Sequence, residues 1–148
     1  MLPRVRAIAE IVLNVRDIDA MTRFYESVLG FAVYRRAPEP NPTIVFLVIG
    51  KLDPPFGDHH PQCLVLIDPA RHAYAAGKFD TPNTRTSTLN HLAFQIADDA
   101  YDAELARLTS LGLSPVTDEF PALAARAIFF RDPEGNTLEF ICHAPHAD

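Results

Sequence analysis

Positive charge is in short supply in this chain. Lys and Arg number 13 against 19 Asp and Glu, for a formal charge of −6. Binding to nucleic acid rests on Lys and Arg that neutralise phosphates. The balance therefore argues against a nucleic-acid partner and for a small organic one. Long apolar runs are also missing. The longest, Ile44 to Ile49, is six residues, where a membrane-spanning helix needs about 20. Arg4 and Arg6 near the start have no apolar stretch behind them, so no secretory signal is expected. Only two cysteines occur, Cys63 and Cys142, each among apolar residues and without metal or redox spacing. They read as buried, reduced thiols, which fits a cytoplasmic protein. No Ser–His–Asp set, phosphate-cradling glycine loop or cysteine cluster supports nucleophilic hydrolysis or nucleotide binding.

What the chain does contain is repetition. Its 148 residues suit one structural domain, and its 48% hydrophobic content can fill a core. Ile8 to Val15 alternates and leads to Arg16-Asp17; Asn90 to Ile96 alternates and leads to Ala97-Asp98. Each reads as a strand that meets an aspartate suited to cap a helix. Met21, Phe24, Tyr25 and Val28 then form one helical stripe, closed by Gly30. Tyr101, Leu105 and Leu108 form the other, closed by Gly112. Capping Asp to closing Gly is a step of 13 residues in the first case and 14 in the second.

Three strands should follow each helix. The first set is Phe31–Arg36, Thr43–Ile49 and Cys63–Ile67; the second is Pro115–Thr117, Arg126–Arg131 and Thr137–Cys142. Asp132-Pro133-Glu134-Gly135-Asn136 is a tight-turn signal between the last two. Asp53 to Pro61, with three prolines and a glycine, is a loop that carries His59 and His60. Both histidines are taken as solvated. The expected layout is a first βαβββ module over 5–68, a linker over 69–87 with a short helical turn at His72–Ala76, and a second module over 88–143. The fold class is α+β: two tandem βαβββ modules forming a curved mixed sheet around a central cavity.

Strand alternation sorts the side chains. Ile11, Leu13 and Val15 face the first helix, which leaves Glu10, Val12 and Asn14 on the opposite face. Leu92, Phe94 and Ile96 face the second helix and leave His91, Ala93 and Gln95 opposite. In the last strand, Thr137, Glu139, Ile141 and His143 lie opposite the apolar side. Glu10 and His91 each stand seven residues before their capping Asp. If the sheet curls, Glu10, His91 and Glu139 converge, and a divalent cation would relieve the repulsion between the carboxylates. Hydrogen-bonded pairing of His91 with Glu139, and a salt bridge from Glu10 to Arg126 or His91, are the alternatives. Asn14 and Gln95 are candidates to orient a ligand oxygen. Tyr34 and Arg126 are candidate substrate contacts, the alternatives being a half-buried aromatic and an Arg that snorkels to solvent.

The run Val15-Arg16-Asp17, Phe24-Tyr25 and Leu29-Gly30-Phe31 resembles the first-module signature of the vicinal oxygen chelate superfamily. That group includes glyoxalases, bleomycin-resistance proteins and extradiol dioxygenases. Asp132 to Phe140 resembles its closing strand motif, and the likeness spans roughly residues 5 to 143. The resemblance implies four metal-ligand positions, Glu10, Val65, His91 and Glu139, and so a ligand set of Glu10, His91 and Glu139. Glu10 stands where His or Gln is commoner, and Val65 has no donor atom. It also implies a homodimer and a small-molecule substrate that chelates the metal through adjacent oxygens. Glu139 and Glu10 would then be the catalytic carboxylates. One His and two carboxylates suit Mn, Mg, Zn or Ni, with Fe also possible. The activity implied is that of a lyase, isomerase or ring-cleaving dioxygenase. The alternative is a metal-free protein that sequesters its ligand, as bleomycin-resistance proteins do.

Overall fold

The computed structural model describes residues 8–50, 61–72 and 89–143. The chain forms two compact units, Met1–Pro82 and Asn83–Asp148. The Pro-rich loop with His59 and His60, and most of the expected linker and its helical turn, lie outside the described residues.

The first unit contains β1 (Glu10–Asn14), α1 (Ile18–Leu29), β2 (Ala32–Ala37), β3 (Ile44–Val48) and β4 (Cys63–Ile67). Its strands lie in the order β1-β4-β3-β2. β1 pairs with β4 in parallel, and the other pairs are antiparallel. The helix starts where Asp17 accepts a hydrogen bond from the Ala20 N–H at 2.9 Å. It stops at Gly30, whose φ of 71° is left-handed and cheap only for glycine. Met21, Phe24, Tyr25 and Val28 are buried as the stripe requires. They lie over β3 and β4, where Leu47, Leu64 and Leu66 are fully buried.

The second unit repeats the plan. It contains β5 (Leu92–Gln95), a 3-10 turn (Asp98–Ala100), α2 (Tyr101–Ser110) and β6 (Val116–Phe120). A second 3-10 turn (Pro121–Leu123), β7 (Ala125–Arg131) and β8 (Thr137–His143) follow. The order is β5-β8-β7-β6, again with one parallel pair, β5 with β8. The strands thus divide into two four-stranded sheets, one in each unit. β6 runs three residues further than expected, through Asp118, Glu119 and Phe120. It is an edge strand paired only with β7, and its residues are largely exposed, so charge there remains hydrated. Asp132 folds the β7–β8 turn by accepting from the N–H groups of Glu134 and Asn136 at 3.0 and 2.9 Å.

One expected cap is absent. Asp98 makes no side-chain cap bond to α2. Its carboxylate accepts instead from Arg126 Nε at 3.2 Å. A charged partner is a stronger attraction than a backbone amide, and the helix begins with a 3-10 turn in place of a capped one.

In the first unit the chain after β4 is turned by Asp68, which is buried. Its carboxylate accepts from the Ala70 N–H at 3.0 Å and pairs with the Arg71 guanidinium. Burial pushes the Asp68 carboxyl up, but the bonds from Arg71 and Ala70 together outweigh it and hold it below the usual range. A depressed folded value means stability that is present above the unfolded carboxylate value and lost as pH falls through the folded one. In urea titrations from about pH 4 downward, wild type should lose more stability than Asp68→Asn. Parallel acid limbs in the two proteins would contradict this.

Candidate metal centre

In the second unit, three adjacent strands place the key group. Glu139 in β8 lies directly between Ala93 of β5 and Phe129 of β7. Residues paired across a rung share a face, so Glu139 looks away from α2. Its side chain is only 5% exposed, and its Oε2 lies 3.0 Å from Nε2 of His91, whose side chain is 36% exposed. The His91 ring meets Phe129 edge-on at 5.9 Å. The other ring nitrogen, Nδ1, lies 2.7 Å from the Asn90 side-chain oxygen.

That last contact bears on the tautomer. An amide oxygen accepts, so with it facing the ring Nδ1 is the donor, whereas a flipped amide would donate to Nδ1 and leave Nε2–H for Glu139. With Nδ1 the donor, Nε2 of a neutral imidazole is a lone pair, and it points at a carboxylate oxygen. Two acceptors do not rest at 3.0 Å unless a proton lies between them or a cation binds both. Nδ1 held by a hydrogen-bonding partner is also how metal-ligating histidines are oriented. The pair thus fits a divalent cation by donor type: one imidazole nitrogen and one carboxylate. Among the described residues, no group of three or more His, Cys, Asp or Glu stands ready to hold a metal.

The first unit carries the corresponding positions. Val12 faces Val65 across β1 and β4 as Ala93 faces Glu139 across β5 and β8. Val65 therefore occupies the rung of Glu139, and Glu10 the position of His91. Glu10 is exposed at the start of β1, on the face away from α1. Val65 is 1% exposed and clusters with Val48 and Cys63, with Ile44, Phe46 and Ile67 packed against them. Where the second unit has a carboxylate, the first has an apolar floor. Glu10 lies beside Cys63 across the rung, and burial first, then the Glu10 charge, pushes the Cys63 thiol up.

The remaining candidates fall in different places. Asn14 and Gln95 are exposed on the faces away from the helices, at equivalent rungs opposite Ile67 and Ile141. Tyr34 is 57% exposed and has no rung partner, because β2 steps from Val33 to Arg35 while β3 steps from Leu47 to Phe46. Arg126 is on the helix side, three residues from Phe129 and so on the other face of β7. Its guanidinium lies 4.1 Å above the Tyr101 ring and bonds Asp98. It lines a cavity of about 330 Å³ with Asp98, Glu119, Pro121, Ala124 and Ala125. Arg126, expected as a candidate substrate contact, is thus held in an ion pair with Asp98 on the helix side of β7. Alternation could not place it, since β7 is apolar on both sides.

Arg35 is a residue that strand alternation missed. A regular β2 would turn Arg35 toward the helix and Arg36 inward. The extra residue at Tyr34 shifts the phase. Arg36 pairs with Val45 on the helix side, within 3.6 Å of Glu26. Arg35 pairs with Phe46 on the face of Glu10. No sequence signal marks the bulge.

The geometry defines a duplicated βαβββ protein with an imidazole–carboxylate pair on the face of its second sheet away from the helix. The family model of the Glyoxalase/Bleomycin resistance protein/Dioxygenase superfamily matches residues 7–140. The chain belongs to that superfamily. It is 26% identical over 132 residues to lactoylglutathione lyase from two strains of Neisseria meningitidis, covering 88% of this chain and 86% of theirs. Among solved structures, a lactoylglutathione lyase from Agrobacterium tumefaciens matches with a TM-score of 0.65 at 23% identity, covering 95% of this chain and 96% of that one. The fosfomycin resistance protein FosX from Listeria monocytogenes matches with a TM-score of 0.66 at 17% identity, with 95% and 96% covered. These structural likenesses establish the fold. Among the described residues no helix is long and apolar enough to cross a membrane.

Both cysteines are buried and free. Burial first, then the bond to Asp98, raises the Cys142 thiol as well. With a chromogenic disulfide reagent at neutral pH, the native protein should react slowly and the unfolded protein should react at both cysteines. Rapid labelling of native protein would contradict the burial of the two cysteines.

Proposed function

We propose that this chain is a metal-dependent enzyme of the glyoxalase/dioxygenase type, acting on a small organic molecule through two adjacent oxygens. The observation that carries the reading is the 3.0 Å approach of His91 Nε2 to Glu139 Oε2, with Nδ1 held by Asn90. His91 and Glu139 are the ligand pair. Glu10, at the position of the first unit equivalent to His91, is proposed as a further metal ligand. Lyase or isomerase chemistry is favoured, because the curated relatives are lactoylglutathione lyases.

A divalent cation (Fe, Mn, Ni, Zn or Mg) would neutralise negative charge that develops on the substrate's oxygens. The chain's own residues do the remainder. A carboxylate, Glu139 or Glu10, accepts a proton from carbon beside those oxygens and returns it. Asn14 and Gln95 donate amide hydrogens to a substrate oxygen and fix its orientation. Phe129, edge-on to His91, limits the imidazole's rotation. A homodimer and a cytoplasmic location are proposed with this function, on the precedent of the superfamily.

A second reading is a metal-free protein that sequesters a ligand. Val65 favours it, since the rung that could carry a second carboxylate is part of an apolar cluster. Elemental analysis separates the two. Protein purified without chelators and offered Fe, Mn, Ni and Zn should bind one of them stoichiometrically. His91→Ala and Glu139→Ala should lose it, and Asn90→Ala should weaken it by roughly 10- to 100-fold. If wild type takes up none of these metals, the enzyme reading fails. Drug binding that survives EDTA would then support sequestration.

A further inference from the structure

The face of the second sheet away from α2 is uneven around its ligand pair. The rung of Glu139 reads Val116–Phe129–Glu139–Ala93 across β6, β7, β8 and β5. On the β5 side the neighbour is a methyl group. On the β7 side it is a half-buried phenyl ring, and beyond it Val116 is 65% exposed on the edge strand. The next three residues of β6, Thr117, Asp118 and Glu119, are polar. Strands lie about 5 Å apart. Phe129 and Val116 thus form an apolar shelf that reaches about 10 Å from the strand of the carboxylate to the sheet edge.

The ring of Phe129 belongs to the pair's surroundings. His91 leads into β5, and Phe129 lies two strands away in β7, a backbone separation of about 10 Å. Their rings nevertheless meet at 5.9 Å and 85°, so the two side chains converge over β8, the strand of Glu139. The first unit shows a phenylalanine at this position without such a pair. There Phe46 stands for Phe129 and Val65 for Glu139, and Phe46 packs against the buried cluster of Val48, Cys63 and Val65. Phe129 has a carboxylate where Phe46 has that cluster. The large apolar neighbour its rung offers is Val116, itself mostly in water.

We propose that Phe129 and Val116 determine specificity by seating an aromatic ring attached next to the ligand's two chelating oxygens. This rests on the reading of His91 and Glu139 as a ligand pair, and it uses groups of the second unit alone. The substrate class narrows to aryl-substituted compounds with adjacent oxygens, in preference to those with a short alkyl or a charged substituent. An aryl ring meets Phe129 edge-on or offset and takes Val116 out of water. A substituent turned toward Ala93 gains only a methyl contact. A charged one on the shelf loses hydration without gaining a partner. A single exposed valine is ordinary on a protein surface. Its place on the rung of Glu139, beside a ring that touches His91, gives this one a role.

The test uses full-length protein, its metal content set by elemental analysis, and two probes measured by calorimetry. Acetohydroxamic and benzohydroxamic acid present the same two oxygens and differ in a methyl against a phenyl group. The preference is the ratio of their affinities for the protein divided by the same ratio for the free metal ion. Metal-loaded wild type should favour benzohydroxamate about tenfold or more. Val116→Ser should cut that preference severalfold, and Phe129→Ala should abolish it. Leu111→Ser, a like change at an exposed residue at the end of α2, should leave it intact. Wild type without the preference, or Val116→Ser with all of it, overturns the shelf and leaves the metal reading standing. The Val116→Ser result decides even if Phe129→Ala no longer holds metal. Wild type that takes up no metal overturns the function proposed above, and this inference with it.

Discussion

A buried carboxylate opposite an imidazole nitrogen is the constraint on which the second unit's inner face depends. Glu139 is set between β5 and β7 with little access to water. An isolated carboxylate in that position would be costly. His91 relieves the cost with a proton or a cation between the two groups, and Asn90 holds its other ring nitrogen. The same three residues that make the pair stable without metal therefore make it a ready ligand pair with one. Removing His91 leaves a buried charge; removing Asn90 releases the ring.

Duplication of the fold let the two faces diverge. Each βαβββ unit spends one sheet face on its helix, where Leu47, Leu64 and Leu66 in one unit and Ile128 and Leu138 in the other are fully buried. That face tolerates little change. The other face packs on neither helix, and there the rungs differ: Glu139 against Val65, Arg35 against Val116. A single-residue bulge in β2 is enough to exchange Arg36 for Arg35 on that face. Charge is thereby divided between units whose helix-facing layers follow one plan.

Much of this was legible in the sequence, because the determinants are local or periodic. Cys63–Ile67 was bounded to the residue, and the other strands to within a few positions, since alternation and turn residues mark them. The placement of Glu10 and Glu139 on the sheet faces away from the helices followed from the same period of two. Three features were not legible. Asp98 looked like the cap Asp17 is, yet a distant guanidinium captures it. Arg126 sits in a strand that is apolar on both faces, so periodicity carried no sign of its direction. The β2 bulge depends on pairing with β3, which no local pattern at Val33-Tyr34-Arg35 encodes.

The central claim is that His91 and Glu139 together bind a divalent cation. X-ray absorption on stoichiometrically metal-loaded wild type tests it most directly, because the scattering identifies ligand atoms. The account predicts one imidazole and oxygen donors, with no sulfur, and loss of the imidazole signature in His91→Ala. A first shell containing sulfur, or one without imidazole in the wild-type protein, would contradict it.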